Sequence, residues 1–108
     1  MSYIRTKDGV YEVEGNKFYD ALKRKHYITT KGLAIKEDDI INQSENLEEL
    51  CDGFVVVGKE HIVFQTATFD QVKLAFENEN YEIYGAIWTD DGLIYVAKMN
   101  ENGELVLI

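Results

Sequence analysis

Apolar and polar positions change rhythm several times along the 108 residues, and each rhythm predicts an element. Tyr3-Ile4-Arg5-Thr6 and Val10-Tyr11-Glu12-Val13 flank Lys7-Asp8-Gly9, which predicts an opening β-hairpin with Gly9 supplying a positive φ. From Asn16 to Lys25 two readings stand side by side. As a helix, Asn16 would cap it, Phe18, Ala21 and Leu22 would share one side, and Lys23-Arg24-Lys25 would sit at the negative end of its dipole. As a strand, Phe18-Tyr19 and Tyr27-Ile28 are good β residues. Leu33 and Ile35 alternate with smaller or polar neighbours as in a short strand, and Ile40-Ile41 follow an acidic Glu37-Asp38-Asp39 turn.

Leu47, Leu50, Cys51 and Phe54 then fall at the i, i+3, i+4, i+7 spacing of one helical face, with Asn46 and Glu49 as a capping pair. This predicts a short helix over 46–52, stopped by a left-handed Gly53. Phe54 to Val57, answered by Ile62-Val63-Phe64 across Gly58-Lys59-Glu60-His61, predicts a second hairpin. Thr68 with Gln71 forms a capping box ahead of Phe69, Val72, Ala75 and Phe76, which predicts a second helix ending near 78–80. Tyr81–Thr89, Leu93–Met99 and Glu104–Ile108, parted by Asp90-Asp91-Gly92 and Asn100-Glu101-Asn102-Gly103, predict a three-stranded antiparallel meander. The expectation is one α+β domain spanning 1–108, an antiparallel sheet of hairpins plus the C-terminal meander, curled or layered, with two short helices.

Side-chain alternation in the meander points to a surface. Tyr81, Ile83, Gly85 and Ile87 share one parity and Glu82, Tyr84, Ala86 and Trp88 the other, so both faces of that strand are largely apolar. The next strand opposes Leu93, Tyr95, Ala97 and Met99 to Ile94, Val96 and Lys98. A sheet covered on one side only would leave Tyr84, Trp88 and Val96 in water, a larger apolar patch than soluble monomers usually expose. These three residues are the candidate interaction surface, covered either by a curled sheet or by a partner.

Composition narrows the class. The chain is 45% apolar and 12% aromatic, ample for a folded interior, and it has no proline, so turns rest on Gly, Asn and Asp. The net charge of −9 argues against a broad basic surface for nucleic acid. The charge is uneven: residues 17–36 hold six bases and one acid, whereas 37–52 hold seven acids and no base. The lone Cys51 cannot close an internal disulfide and lies on the apolar stripe, so it is expected to be buried and inert. With no apolar run of membrane length and no signal-peptide pattern at the start, the expected location is a reducing cytoplasm.

Candidate chemistry is sparse. His26, His61 and Cys51 lack the spacing of metal ligands, Asp90 and Asp91 sit beside Gly92 where Asp serves turns, and the glycines never form a phosphate-cradling loop. No cofactor, metal or catalytic residue is expected, and the protein is read as a non-enzyme. Lys23-Arg24-Lys25 with Tyr19 and Tyr27 is the one basic-aromatic cluster, suited to weak nucleic-acid binding but read first as a solvated helix end. The alternative expectation is an acidic nucleic-acid mimic that inhibits a host enzyme; duplex phosphates stand about one per 1.7 Å of axis, and only Glu37 to Asp52 is dense enough in acids to contribute to such a pattern.

Three segments carry a likeness. Tyr3 to Tyr11, Asn46 to Asp52 leading into Phe54-Val55-Val56, and above all Tyr84-Gly85-Ala86-Ile87-Trp88-Thr89-Asp90-Asp91-Gly92-Leu93-Ile94-Tyr95-Val96-Ala97-Lys98 resemble short uncharacterised proteins encoded by phages and prophages of Gram-positive Firmicutes. Residues 14–36 do not share it. The resemblance implies a phage or prophage origin and action in the bacterial cytoplasm, and carries no catalytic residue. The leading expectation is a small accessory protein that binds a protein, itself or a host factor, with no membrane association and with nucleic acid disfavoured.

Overall fold

Val, Ile, Tyr and Thr suit a pleated surface, and strand pairing claims most of them in the computed structural model, which describes residues 2–58, 62–76 and 81–108. The chain divides into two compact units, Met1–Leu50 and Cys51–Ile108. Each unit carries its own five-stranded antiparallel sheet, so the antiparallel architecture stands, while the single sheet, curled or layered, is corrected to two sheets that do not curl.

The first sheet has the order β4-β3-β2-β1-β5, from β1 (Ser2–Arg5), β2 (Val10–Tyr19), β3 (Lys25–Thr29), β4 (Ala34–Lys36) and β5 (Asn42–Ser44). The opening hairpin forms, with Ile4 opposite Tyr11. Its turn is closed by Thr6 N–H donating to the Gly9 carbonyl at 2.9 Å, and Gly9 needs no positive φ, contrary to expectation. Ile4, Val13, Leu47 and Leu50 are buried in this unit. Between Asn16 and Lys25 the strand reading holds. β2 continues to Tyr19 although every residue after Val13 is exposed, because it pairs with β3 as a long arm, Lys17 facing Tyr27 and Tyr19 facing Lys25.

Two 3-10 turns stand where acids are dense, Glu37–Asp39 and Leu47–Leu50. The second replaces the helix expected over 46–52. Asn46 and Glu49 do meet, the Asn46 amide donating to Glu49 at 3.4 Å, but the segment is too short to repay helix nucleation. The following residues are also claimed by a sheet: Asp52 N–H donates to the Ala86 carbonyl at 2.9 Å, and Gly53 opens a strand without a left-handed φ.

The second sheet has the order β10-β9-β8-β6-β7, from β6 (Gly53–Val57), β7 (Ile62–Gln65), β8 (Glu82–Thr89), β9 (Gly92–Met99) and β10 (Leu105–Leu107). The second hairpin and the meander both form. The helix α1 (Phe69–Phe76) starts at the capping box: Thr68 N–H donates to Gln71 Oε1 at 3.1 Å and Gln71 N–H to Thr68 Oγ1 at 3.3 Å. Phe69 and Val72 pack on Phe54, Val56 and Ile83, so α1 covers one face of this sheet. It is the one α-helix among the described residues, where two helices were expected. Residues 59–61, with His61, and the expected helix end at 78–80 lie outside the described residues.

A β-bulge breaks the alternation of β9. Gly85 faces Ala97 but Ala86 faces Tyr95, so Val96 is the extra residue and the faces exchange beyond it. No described helix is long and apolar enough to cross a membrane.

Candidate functional site

The sheet face of the second unit opposite α1 collects aromatics from three strands. Pairing places Phe64 of β7, Val55 of β6, Tyr84 of β8 and Lys98 of β9 in one cross-strand row, with Trp88 and Leu93 two rows further along the same face. Gly53 lies between these rows and is needed there, because a Cβ would collide with the Phe64 ring and stand 2.6 Å from the Gln65 carbonyl oxygen. The missing side chain lets Phe64 lean over the sheet and meet Trp88 edge-on, centroids 5.7 Å apart. The bulge at Val96 brings Tyr95 onto the same face, where it stacks on Tyr84 at 4.9 Å. The Lys98 ammonium lies 5.5 Å from the centre of the Tyr84 ring and 3.5 Å from Glu82.

Of the three residues expected at this surface, Trp88 is 56% exposed, Tyr84 is half-buried and Val96 is only 8% exposed. The bulge explains Val96. It also brings Tyr95, 43% exposed, which strict alternation places on the opposite side. Sequence alone signals the bulge weakly, since β9 is apolar at successive positions whichever face they take.

Trp88 is held by its backbone. β6 pairing ends at Gly53 and Ala86, and beyond that point Asp52 Oδ2 accepts the Trp88 N–H at 2.7 Å. Asp90 and Asp91 follow at once in the β8–β9 turn, which Gly92 closes at a φ of 108° while the Thr89 hydroxyl donates to the Gly92 carbonyl at 2.9 Å. The backbone that carries the indole is therefore flanked by Asp52 across the sheet and by Asp90 and Asp91 along the chain. Cys51, expected in the core, is half-buried, and its sulfur stands 2.6 Å from where a Cβ on Gly85 would lie.

In the first unit the β2–β3 arm ends in a turn built by Asp20. Its Oδ1 accepts the N–H groups of Leu22 at 2.8 Å and Arg24 at 3.0 Å, and its Oδ2 meets Arg24 Nε at 2.8 Å and His26 Nε2 at 2.9 Å. The bonds from His26 and then Arg24 hold the carboxyl well below the usual carboxylate range. Lys23 takes a left-handed φ of 61° in this turn. Strand alternation puts Lys17, Tyr19, Lys25 and Tyr27 on one face of the arm and Phe18, His26 and Lys36 on the other, where the Phe18 and His26 rings stack at 4.7 Å. The Lys25 ammonium stands 4.8 Å from the Tyr27 ring centre and 3.9 Å from Glu37. A hydrogen bond to Tyr27 raises its pKa above the ordinary lysine value, with Glu37 acting in the same direction.

Several acids of 37–52 serve local bonds. Glu49 accepts from Ser44 and Asn46, Glu37 faces Lys25, and Asp52 holds Trp88. A recess of about 590 Å³ places Asp8, Asp38 and Asp39 near Lys7 and Tyr11, but among the described residues no three His, Cys, Asp or Glu side chains converge as metal ligands would. Comparison of the chain with protein-family models, with curated proteins and with solved structures finds no match.

Proposed function

We propose that the protein acts without catalysis, by binding another protein on the Trp88–Tyr95 face of its second sheet. The exposure of Trp88, its backbone N–H bonded to Asp52 and its ring set edge-on against Phe64, carries this reading, because Trp and Tyr dominate the energetics of protein interfaces and a ring already packed on a neighbour loses little freedom on binding. Ile62 adds apolar area on the same face, with Lys98 and Glu82 as a polar rim. The occupant is a partner with a basic rim rather than a second copy. Residues 51–108 carry three bases and ten acids, net −7, so two copies joined through this face would bring two strongly acidic units together. The resemblance of residues 84–98 to phage and prophage proteins of Firmicutes supports an accessory protein acting in the bacterial cytoplasm.

A photoreactive phenylalanine analogue placed at Trp88, at Tyr95 and, as a control, at the exposed Leu74 of α1 tests the reading in cells. The expected result is an adduct to one basic protein from Trp88 and Tyr95 but not from Leu74, and no adduct when a lysate is irradiated at high salt. Equal labelling from all three positions, no adduct, or adducts only between copies of this chain would overturn it.

A further inference from the structure

The β2–β3 arm of the first unit is a second surface, independent of Trp88. As a helix end, Lys23-Arg24-Lys25 would be a solvated cluster, but as a hairpin the same residues border a flat face that alternates cation and ring. Lys17 lies opposite Tyr27 and Tyr19 opposite Lys25, so the four form a checkerboard on one side of the sheet. Tyr19 is 63% exposed. The rim of this face opens on a cleft of about 500 Å³ lined by Lys23, Arg24, Lys25 and Lys36 against Glu37 and Asp38, four bases to two acids. Residues 17–25 carry four bases and one acid, Asp20, which is bonded within the turn to Leu22, Arg24 and His26, so the charge of the arm is positive.

We infer that this face binds single-stranded nucleic acid, a base stacking on Tyr19 while Lys17, Lys23 and Lys25 contact the flanking phosphates. Stacking on an exposed ring beside cations accepts any base and needs no sequence readout. Charge complementarity is local. Salt screens charges over about 8 Å at physiological strength, so the cations of the arm decide capture despite the net charge of the chain. An acidic protein segment would use the cations but leave the exposed ring without a role. A duplex hides its base faces.

The test is fluorescence anisotropy of a labelled oligothymidine titrated with the intact protein, beside the matching duplex and phosphatidylserine vesicles. With three to four phosphate contacts on a single strand, affinity is expected to fall about 20- to 50-fold between about 50 and 200 mM salt. Tyr19→Ala should weaken binding about tenfold while Tyr19→Phe retains it, and Lys17→Ala should flatten the salt slope by about 0.7. Trp88→Ala should leave binding unchanged, which separates this surface from the one proposed above. Absence of binding at low salt, insensitivity to Tyr19→Ala, equal affinity for the duplex, or binding to vesicles but not to the oligomer would overturn the inference. Circular dichroism matching the wild type shows that each variant is folded.

Discussion

At the tip of the β2–β3 arm a single carboxylate, Asp20, accepts from two backbone N–H groups and two side chains. Because its pKa is lowered in the fold, its contribution is full above the ordinary carboxylate value of about 3.9 and is lost as pH falls through the lower folded value. In an NMR titration the Leu22 and Arg24 amide resonances should therefore stay fixed through pH 4 and move only well below it; a midpoint at the ordinary value would contradict the geometry. Asp20→Asn keeps an acceptor for the backbone but loses the charge-assisted bonds to Arg24 and His26, so the same amides should lose dispersion. Gly53 is the counterpart in the second unit. Gly53→Ala drives a Cβ into Phe64, and the Gln65 carbonyl at 2.6 Å cannot swing aside as a side-chain tip would. The expected cost is about 1–3 kcal/mol in denaturant unfolding. Since Phe64 must leave Trp88, the emission of the sole tryptophan should shift as well.

Elements written in local chemistry were legible in the sequence. The Thr68–Gln71 box, the Asp90-Asp91-Gly92 turn and the parity of β8 each depend on neighbours a few residues apart, and each is seen. Thr68→Ala should cost about 0.5–2 kcal/mol in thermal or denaturant unfolding, by leaving a first-turn N–H without its acceptor. What escaped was decided at a distance. The Leu47–Leu50 turn does not extend into a helix because Gly53–Val57 is paired on both sides, by β7 and β8, and no spacing within 46–54 carries that competition. The pairing of β1 with β5 joins residues some forty positions apart, and the division into two sheets follows from such pairings. At the candidate surface Trp88 and Tyr84 were legible from alternation. Tyr95 was not, because one bulge at Val96 moves it to the other face.

For the whole molecule, the uneven charge resolves unit by unit. The basic stretch 17–36 and most of the acidic stretch 37–52 belong to the first unit, where eight bases meet ten acids and Lys25 faces Glu37 at 3.9 Å. The first unit is thus close to neutral, at −2, and the second carries −7. The acidic field accordingly goes with the unit that presents Trp88, and the arm that presents Tyr19 is positive. Ile83 and Trp88 separate folding from recognition. Ile83→Ala removes a buried side chain from the α1 face and should cost about 2–5 kcal/mol of stability, whereas Trp88→Ala, at an exposed position, should unfold within about 1 kcal/mol of the wild type. The most direct test measures, by calorimetric titration, the affinity of the protein cross-linked at Trp88 for the wild-type chain and for Trp88→Ala. A fixed, exposed indole at the centre of the contact predicts a loss of about 30-fold or more on truncation. An affinity unchanged within about twofold would contradict the assignment of this face as the binding surface.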